Sequence, residues 1–525
     1  MASGGAAASP SSGLLNIRAY SAARHDGTTA TATTSTGHHI EVSFVAARPP
    51  TLSHFSVHCP ALEPLQHDPT DYARSMVPKA VASDAGLVLL RVPLAPEAAL
   101  SLSHNDCFVY SAHPDQRPML DLLPNPWTHC HFLGEEEIAI LSCADGTRYV
   151  VAALQIMPLC ETTYTLHLYR SRPDGKPGRW TSWRVTLDEP LRDTVCPVPD
   201  TAELMFHHTA KTIVLGGDRG TVGWVDLWRG ILLCDVLDES PTKVRDMPLP
   251  LPARANWWGF HNNHDAEFVR DVTVSQHKGC IKYVEMEIVS PARVVTRPSP
   301  KPTDTYLEWL ECQKQPSKLS LRPGHWKATT WSMPIPVGAW DDWRRDFAAD
   351  SANLLIDVSM KGYELLHKHC NSHRDKGKSA MATEETTLSL GFVSMAYPTM
   401  SMDGDVVYLL TRGVDMGKFG EVLVTAVDVE HGTLRGVAKL DTKRNTAFRP
   451  CYFACGISGQ LNTAGFVCPI VLTEVDMNDY PLDEKEGRLD KQRSIRRNGV
   501  DAGVESGMRD AESNEVMDCS HSPGR

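Results

Sequence analysis

The stretch GTVGWVDLWRGILLCDVLDE, residues 220–239, is the part of the sequence that decides the fold class. Side chains of a β-strand alternate between two faces, so Trp224, Asp226 and Trp228 fall on one face and smaller residues on the other. The pair Arg229-Gly230 then supplies a turn whose glycine can adopt a positive φ, and a second apolar run of strand length follows. The stretch therefore predicts a β-hairpin that further sheet must cover, because a two-stranded ribbon is not stable alone.

Similar strand-like runs recur along the chain, with turn residues between them. Examples are GLVLLRVPL (86–94), AKTIVLGG (210–217) and MDGDVVYLLTR (402–412). Helical periodicity favours only DDWRRDFAADS (341–351) and SMKGYELLHKHC (359–370). A large set of short antiparallel strands must protect its sheet edges, and blades repeated around an axis do so. We therefore predict an all-β fold, a degenerate β-propeller without a regular repeat, with paired β-sandwiches as the alternative.

Composition divides the chain into three parts. Residues 1–44 are rich in Ala, Ser, Thr and Gly and offer little apolar surface, which predicts a disordered arm. Residues 45–478 contain the strand-like runs and form the predicted propeller body. Residues 479–525 mix charges of both signs with few large apolar side chains, which predicts a disordered charged tail.

The charge and cysteine content narrow the partners and the compartment. A net charge of -12 and a pI near 6.0 disfavour a nucleic-acid partner, which needs clustered Lys and Arg. No apolar run is long enough to cross a bilayer, so no membrane partner is expected. The 14 cysteines are scattered and no secretory signal precedes them, which predicts reduced thiols in the cytoplasm or nucleus. The Ala- and Ser-rich opening leaves a plastid transit peptide as the alternative.

The opening hairpin and its surroundings resemble a known family. The runs GWVDLWRGILLCDV and RDMPLPLP, with RDVTVSQHKGCIKYVEMEI after them, are similar to the plant family called domain of unknown function 1618, which is abundant in grasses. The resemblance is centred on residues 226–360 and implies a likeness to the propeller domains that follow F-boxes in plant proteins. It implies no catalytic residue set. Residues 1–44 are too short and polar for an F-box, so we expect none here.

The candidate chemistry of the opening hairpin centres on Asp226. A carboxylate buried against two Trp side chains could act as a general acid or base, because burial raises its pKa. Turn chemistry instead predicts that Asp226 accepts hydrogen bonds from nearby amides. We therefore interpret Trp224, Asp226, Trp228, Arg229 and Gly230 as a structural signature, and no catalytic residue is assigned.

A second cluster, HKHCNSH, brings together four metal-capable side chains: His367, His369, Cys370 and His373. Its spacing is not that of a zinc site, so it predicts the solvated end of a helix.

Two other motifs have equally plain interpretations. GGDRG (216–220) connects strand to strand and predicts a hairpin turn, since a phosphate cradle needs a helix N-terminus. Cys451 and Cys455 in CYFAC are predicted buried thiols, because their spacing differs from that of a CxxC redox pair.

These patterns favour a recognition protein that uses no cofactor or metal. A propeller carries variable loops on its faces, which suit a protein or peptide partner. The alternative is an enzyme with a polar site in the central channel of the propeller.

Overall fold

The structure of this chain is a computed structural model that describes most of residues 12–462. The described ranges are 12–62, 77–95, 98, 102–113, 116–125, 134–143, 148–157, 162–172, 177–197, 207–296, 305–314, 318–371, 390–413, 421–441 and 448–462. They all belong to one compact unit, Met1–Ile470. A second unit, Val471–Arg525, lies outside the described residues, and so does the predicted charged tail at 479–525.

The described strands form six antiparallel blades, and blade 1 contains the first strands of the chain. Its strands are β1 (Gly13–Asn16), β2 (Tyr20–Ser21), β3 (Ala30–Thr33), β4 (His39–Val45) and β5 (His54–His58). They lie in the order β2, β5, β4, β3, and β1 meets the start of β5 through a bridge between Leu15 and Ser53.

Blades 2, 3 and 4 are four-stranded meanders. Blade 2 consists of β6 (Lys79–Asp84), β7 (Leu87–Pro93), β8 (Asn105–His113) and β9 (Gln116–Leu123). Blade 3 consists of β10 (Ile138–Ser142), β11 (Tyr149–Ile156), β12 (Thr163–Arg170) and β13 (Arg179–Leu187). Blade 4 consists of β14 (Lys211–Gly216), β15 (Thr221–Asp226), β16 (Gly230–Asp235) and β17 (Lys243–Pro248). Parallel pairing of β13 with β17 joins blades 3 and 4 into one eight-stranded sheet.

Blades 5 and 6 carry extra strands. The strands of blade 5 are β18 (Arg270–Val274), β19 (Cys280–Val289), the inserted hairpin β20 (Ala292–Thr296) and β21 (Lys318–Arg322), then β22 (His325–Pro334) and β23 (Arg344–Asp350). Those of blade 6 are β24 (Leu355–Ile356), β25 (Val393–Met400), β26 (Val406–Gly413), β27 (Val422–Asp428) and β28 (Thr433–Lys439). The inserted hairpin explains why no fixed repeat length is visible in the sequence.

The last described strand closes the ring. β29 (Tyr452–Cys455) pairs antiparallel with β1, with Leu14 opposite Ala454. The residues after β1 then join β6, since the Ala80 amide donates to the carbonyl oxygen of Ile17 at 2.7 Å. Blade 1 is therefore completed by a strand from the far end of the chain.

Six clusters of buried residues fill the gaps between the blades in the described part of the chain. Each cluster draws on two adjacent blades, and together they run around the ring without a break. The gap between blades 6 and 1 is filled by Leu14, Tyr408 and Tyr452 with their neighbours. Because most strands are covered on both faces, runs such as Leu87–Pro93 are buried at every position.

Among the described residues, few helices accompany the sheets. They are α1 (Leu191–Val195), α2 (Trp257–His261), α3 (Tyr306–Lys314), α4 (Tyr363–Asn371) and α5 (Ile457–Asn462). None of the helices in the described ranges is both long and apolar enough to cross a membrane.

The all-β propeller prediction is confirmed, but the predicted disordered arm at 1–44 is wrong from residue 12 onward. Residues 13–45 supply β1 to β4, and Ile40, Val42 and Phe44 are fully buried against blade 2. Low average hydrophobicity concealed these strands because the few large apolar residues lie at alternating positions. Their partners are also distant in sequence, as the pairing of β1 with β29 shows.

Of the two predicted helices, one is confirmed and one is wrong. SMKGYELLHKHC contains α4. DDWRRDFAADS instead begins in a short 3-10 helix, Trp340–Asp342, and continues as strand β23. Pairing with β22 supplies backbone hydrogen bonds that the local helical pattern did not anticipate.

Replacing Leu15 by alanine tests the closure of the ring. Leu15 is fully buried between blades 1 and 2, so Leu15→Ala should lower the free energy of unfolding by about 2–5 kcal/mol. Thr31→Ala, at an exposed position of β3 in the same blade, is the control and should change it little. Urea unfolding measures both. A Leu15→Ala protein as stable as wild type would restore the disordered-arm interpretation.

Candidate functional site

Asp226 ends β15 and organises the turn of the signature hairpin. Its Oδ1 accepts hydrogen bonds from the amides of Trp228 (3.0 Å) and Arg229 (3.2 Å), and its Oδ2 accepts one from the amide of His208 (3.1 Å). The residue is 4% exposed. With three amide donors, this carboxylate caps the turn and also holds the segment that contains His208 next to it.

The two Trp residues of the signature enter different cores. Trp224 is fully buried in the cluster between blades 3 and 4, and its Nε1 donates to the carbonyl oxygen of Glu137 at 2.8 Å. Trp228 joins the cluster shared by blades 5 and 6, and its Nε1 donates to the carbonyl oxygen of His264 at 2.6 Å. The strand ends at Asp226, so the two indoles do not share the single face that simple alternation predicted.

Arg229 and Gly230 complete the signature. Arg229 is buried and pairs with Asp193 of α1. Gly230 is the first residue of β16 and is extended, so the predicted positive φ is wrong. Its lack of a side chain matters for another reason: a Cβ there would lie 2.6 Å from the carbonyl oxygen of Met247 on β17.

A buried polar cluster lies beside Arg229. Arg192 Nε donates to Asp246 Oδ1 at 2.7 Å, and Arg192 Nη1 lies 2.8 Å from His207 Nδ1. Burial lowers the pKa of His207 well below its usual value, and the adjacent Arg192 and Arg229 charges lower it further. His207 is therefore a neutral imidazole that accepts a hydrogen bond from Arg192.

Arg270, the first residue of β18, connects blade 5 to the signature turn. Its guanidinium is fully buried, lies 5.0 Å from the Trp228 ring centroid, and donates to the carbonyl oxygens of Leu227 (3.0 Å) and Trp228 (3.2 Å). Glu285 Oε1 accepts from Arg270 Nη2 at 3.0 Å. One arginine thus ties blade 4 to the inner strands of blade 5.

The best candidate for a binding site is a cavity of about 400 Å³ on the ring axis. Residues from all six blades line it, contributed by β6, β10, β14, β18, β25 and β29 and by the segments next to them. We call this cavity the central channel. It contains both apolar side chains and many charged ones, as the enzyme alternative requires.

Two ion pairs cross between blades inside the central channel. Lys211 at the start of β14 lies 2.8 Å from Asp271 of β18. Lys278, in the turn after β18, reaches Asp84 at the end of β6, with Nζ and Oδ1 2.7 Å apart. The second pair connects blade 5 with blade 2, on opposite sides of the ring, and narrows the end of the channel where the inner strands finish.

Carboxylates dominate the other end, where the inner strands begin. Glu135, Glu136 and Glu267 line the channel there together with Asp271. Burial raises the pKa of Glu267 to about 7, and the charge of Asp265 raises it further while Lys211 lowers it. At neutral pH this carboxyl group therefore exchanges between its two protonation states.

The signature and the channel can now be compared with known proteins. A family model described as a protein of unknown function (DUF1618) matches residues 224–408. This part of the chain matches the DUF1618 family. The match begins at Trp224 and includes Arg270 and Glu285, and it extends beyond the expected range 226–360. The plant origin and the likeness to F-box-associated domains stay predictions.

Further comparisons add little to the DUF1618 assignment. No curated protein matches the chain. Among solved structures, the crystal structure of Porphyromonas gingivalis dipeptidyl peptidase 4 aligns with a TM-score of 0.21 and 7% identity. The alignment covers 64% of this chain and 37% of the peptidase chain. At that TM-score the similarity supports no inference about fold or activity.

The predicted metal-capable cluster HKHCNSH lies mostly on α4. His369 Nε2 is 2.6 Å from the carbonyl oxygen of Glu421, and Cys370 is 5% exposed, with burial raising the pKa of its thiol to about 11. His373 lies outside the described residues. The end of α4 is therefore packed against blade 6, which is more buried than the predicted solvated end.

The other motifs are structural. GGDRG is the turn from β14 to β15, as predicted. Cys451 and Cys455 are free thiols; burial raises the pKa of Cys451 to about 12 and also raises that of Cys455.

The channel residues Asp84, Glu267, Asp271 and Lys278 were missed by sequence analysis. They lie near the ends of strands β6 and β18, in blades 2 and 5, and only the ring brings them together. The sequence of β18, RDVTV, contains a local signal for such a residue, because a charged pair precedes its apolar residues.

Neutral His207 predicts a pH dependence of stability. Its folded-state pKa is below the unfolded value of about 6.5, so it stabilises the fold fully above that pH and loses this contribution as the pH falls. His207→Asn keeps an acceptor for Arg192 but cannot titrate. Its melting temperature should therefore fall less than that of wild type between pH 7.5 and pH 5.5.

Comparison with a control separates this effect from other titrating groups. Glu267 and Glu137, whose pKa values burial raises to about 7, act in the opposite direction in every variant. His325→Asn, at an exposed position, should follow the wild-type profile. Parallel profiles for wild type and His207→Asn would contradict the assignment of a neutral buried His207.

Proposed function

We propose that this chain is a recognition protein that binds a protein or peptide partner at its central channel, without a catalytic step. The observation that supports the proposal is the cavity of about 400 Å³ lined by residues of all six blades. Pockets of about 300–1,000 Å³ typically hold small ligands, so the channel can hold one or two side chains of a peptide. The rest of the peptide would contact the loops around the channel mouth.

The ring supports such a role because it holds the channel rigidly. Most of the residues that line it belong to strands. The Lys211–Asp271 and Lys278–Asp84 pairs fix side chains of different blades relative to one another. A preorganised site loses little conformational entropy when it binds a partner. The net charge of -12 favours a protein partner over nucleic acid.

An intracellular location in the cytoplasm or nucleus is part of the proposal. Nine described cysteines are free thiols, as expected in a reducing compartment.

An enzyme is the second candidate, and Glu267 is the observation that favours it. A carboxyl group in a cavity with a pKa of about 7 suits general acid or base catalysis near neutral pH. Screening purified protein against a panel of ester, amide, glycoside and phosphate substrates tests this candidate. A turnover that Glu267→Gln abolishes would support it over pure recognition.

Blocking the channel tests peptide recognition. Ala454 of β29 lines the central channel and is only partly buried, so Ala454→Trp should fill much of the cavity. Selection of a random displayed heptapeptide library should enrich specific sequences on wild type and lose them on Ala454→Trp. Ala352→Trp, in an exposed loop after β23, is the matched control and should keep them.

Two results would contradict the proposal. One is the absence of any enriched peptide on correctly folded wild-type protein. The other is enrichment that survives unchanged in Ala454→Trp, which would place recognition elsewhere on the molecule.

A further inference from the structure

The central channel offers hydrogen-bond acceptors that have no donor. Both lining lysines are committed, because Lys211 pairs with Asp271 and Lys278 pairs with Asp84. Glu267, in contrast, has no cation within ion-pair distance among the described residues, although the residue is half-buried in the channel. A ligand that brings N–H donors and a positive charge would compensate it.

Two uncharged side chains that line the channel also have polar atoms without a hydrogen-bond partner. Tyr452 is 3% exposed and its hydroxyl, although close to Thr399, makes no hydrogen bond of ordinary geometry. Gln276 Oε1 is buried and also has no partner. Both residues line the channel. Buried polar atoms are rarely left unpaired, so these atoms are independent signs of a bound partner.

We propose that the central channel binds the ammonium or guanidinium group of a lysine or arginine side chain. This inference rests on the proposed peptide recognition and names the chemistry of the side chain that enters. An ammonium has three donors and a guanidinium five, which suits carboxylates and unpaired acceptors spread along a channel.

The spacing of the carboxylates favours an organic cation over a metal ion. Among the described residues, one group of three potential metal ligands has its ligand atoms within 4.8 Å of one another. It consists of Asp428, the buried last residue of β27, and of Glu430 and His431 in the exposed turn that follows. Within the same described residues, the channel carboxylates form no such close group. A long, flexible side chain can meet them one after another, whereas a divalent cation needs its oxygen ligands together.

Binding of a cation at Glu267 should release a proton. The groups that face Glu267 are Asp265, Asp271 and Glu136, which raise its pKa, and Lys211, which lowers it; Tyr397 also interacts with it. A bound cation favours the ionised carboxylate. Affinity should therefore rise with pH through the pKa of Glu267, by about tenfold between pH 6 and pH 8 for one linked proton.

Small cations test the inference directly on the full chain. The probes are n-butylammonium and n-butylguanidinium chloride, with n-butanol as the uncharged match, and dissociation constants come from ligand-observed NMR titrations at pH 6, 7 and 8. At least one cation should bind more tightly than butanol, and its affinity should rise about tenfold across this range. The cation with the lower dissociation constant shows whether the channel prefers lysine or arginine.

Three variants test whether the channel residues are responsible for cation binding. Glu267→Gln keeps the shape of the side chain but cannot ionise, so it should weaken binding and remove its pH dependence. Lys211→Met leaves Asp271 without its internal cation and should strengthen binding several-fold, a gain that misfolding cannot mimic. Glu430→Gln, in the turn after β27, is the control and should behave like wild type.

The outcomes separate this inference from the proposed function. The inference would be overturned if the selected peptides need an open channel but are not enriched in lysine or arginine, and if the small cations bind no better than butanol. Peptide recognition would then still stand. Cations that bind with the expected pH dependence, without any enriched peptide, would overturn peptide recognition and leave the cation site. Unchanged cation binding by Glu267→Gln would overturn the inference in either case.

Discussion

The architecture around the signature turn depends on the contacts of the buried Arg270 guanidinium. This guanidinium lies between the rings of Trp228 and Tyr283, at 5.0 and 5.6 Å from their centroids, and donates to two carbonyl oxygens of the signature turn. Glu285 balances its charge and also accepts from the Asn256 side chain at 2.8 Å. A buried charge is costly unless it is paired, so this ion pair admits little displacement.

The same contact positions the central channel. Strand alternation places Asp271, the residue after Arg270, on the opposite side of β18, where it pairs with Lys211 and accepts a hydrogen bond from the Met400 amide at 2.8 Å. Asp271 therefore links blades 4, 5 and 6. On the other side of the ring, Asp84 pairs with Lys278 and accepts from the Ser142 amide at 2.8 Å. The carboxylates that connect the blades are also those that give the channel its charge.

Local patterns in the sequence predicted the parts of this structure that depend on local interactions. The hairpin around Asp226 and helix α4 follow from alternation, turn chemistry and helical periodicity. The strands in residues 13–45 could not be predicted in this way, because β1 pairs with β29, which is distant in sequence. The pairing of Arg270 with Glu285 also needs the register of β18 on β19, and the channel needs all six blades. Charged residues that meet only in the closed ring leave no periodic signal.

A double-mutant cycle on Arg270 and Glu285, measured by urea unfolding, tests most directly whether this pair holds the blades together. Arg270→Met removes the cation, and Glu285→Gln removes the anion but keeps the acceptor for Asn256. If the pair has this role, each single variant should lose about 3–5 kcal/mol of unfolding free energy, and the double variant should lose clearly less than the sum, because no buried charge is left unpaired. Single variants that unfold like wild type, or losses that simply add, would contradict it.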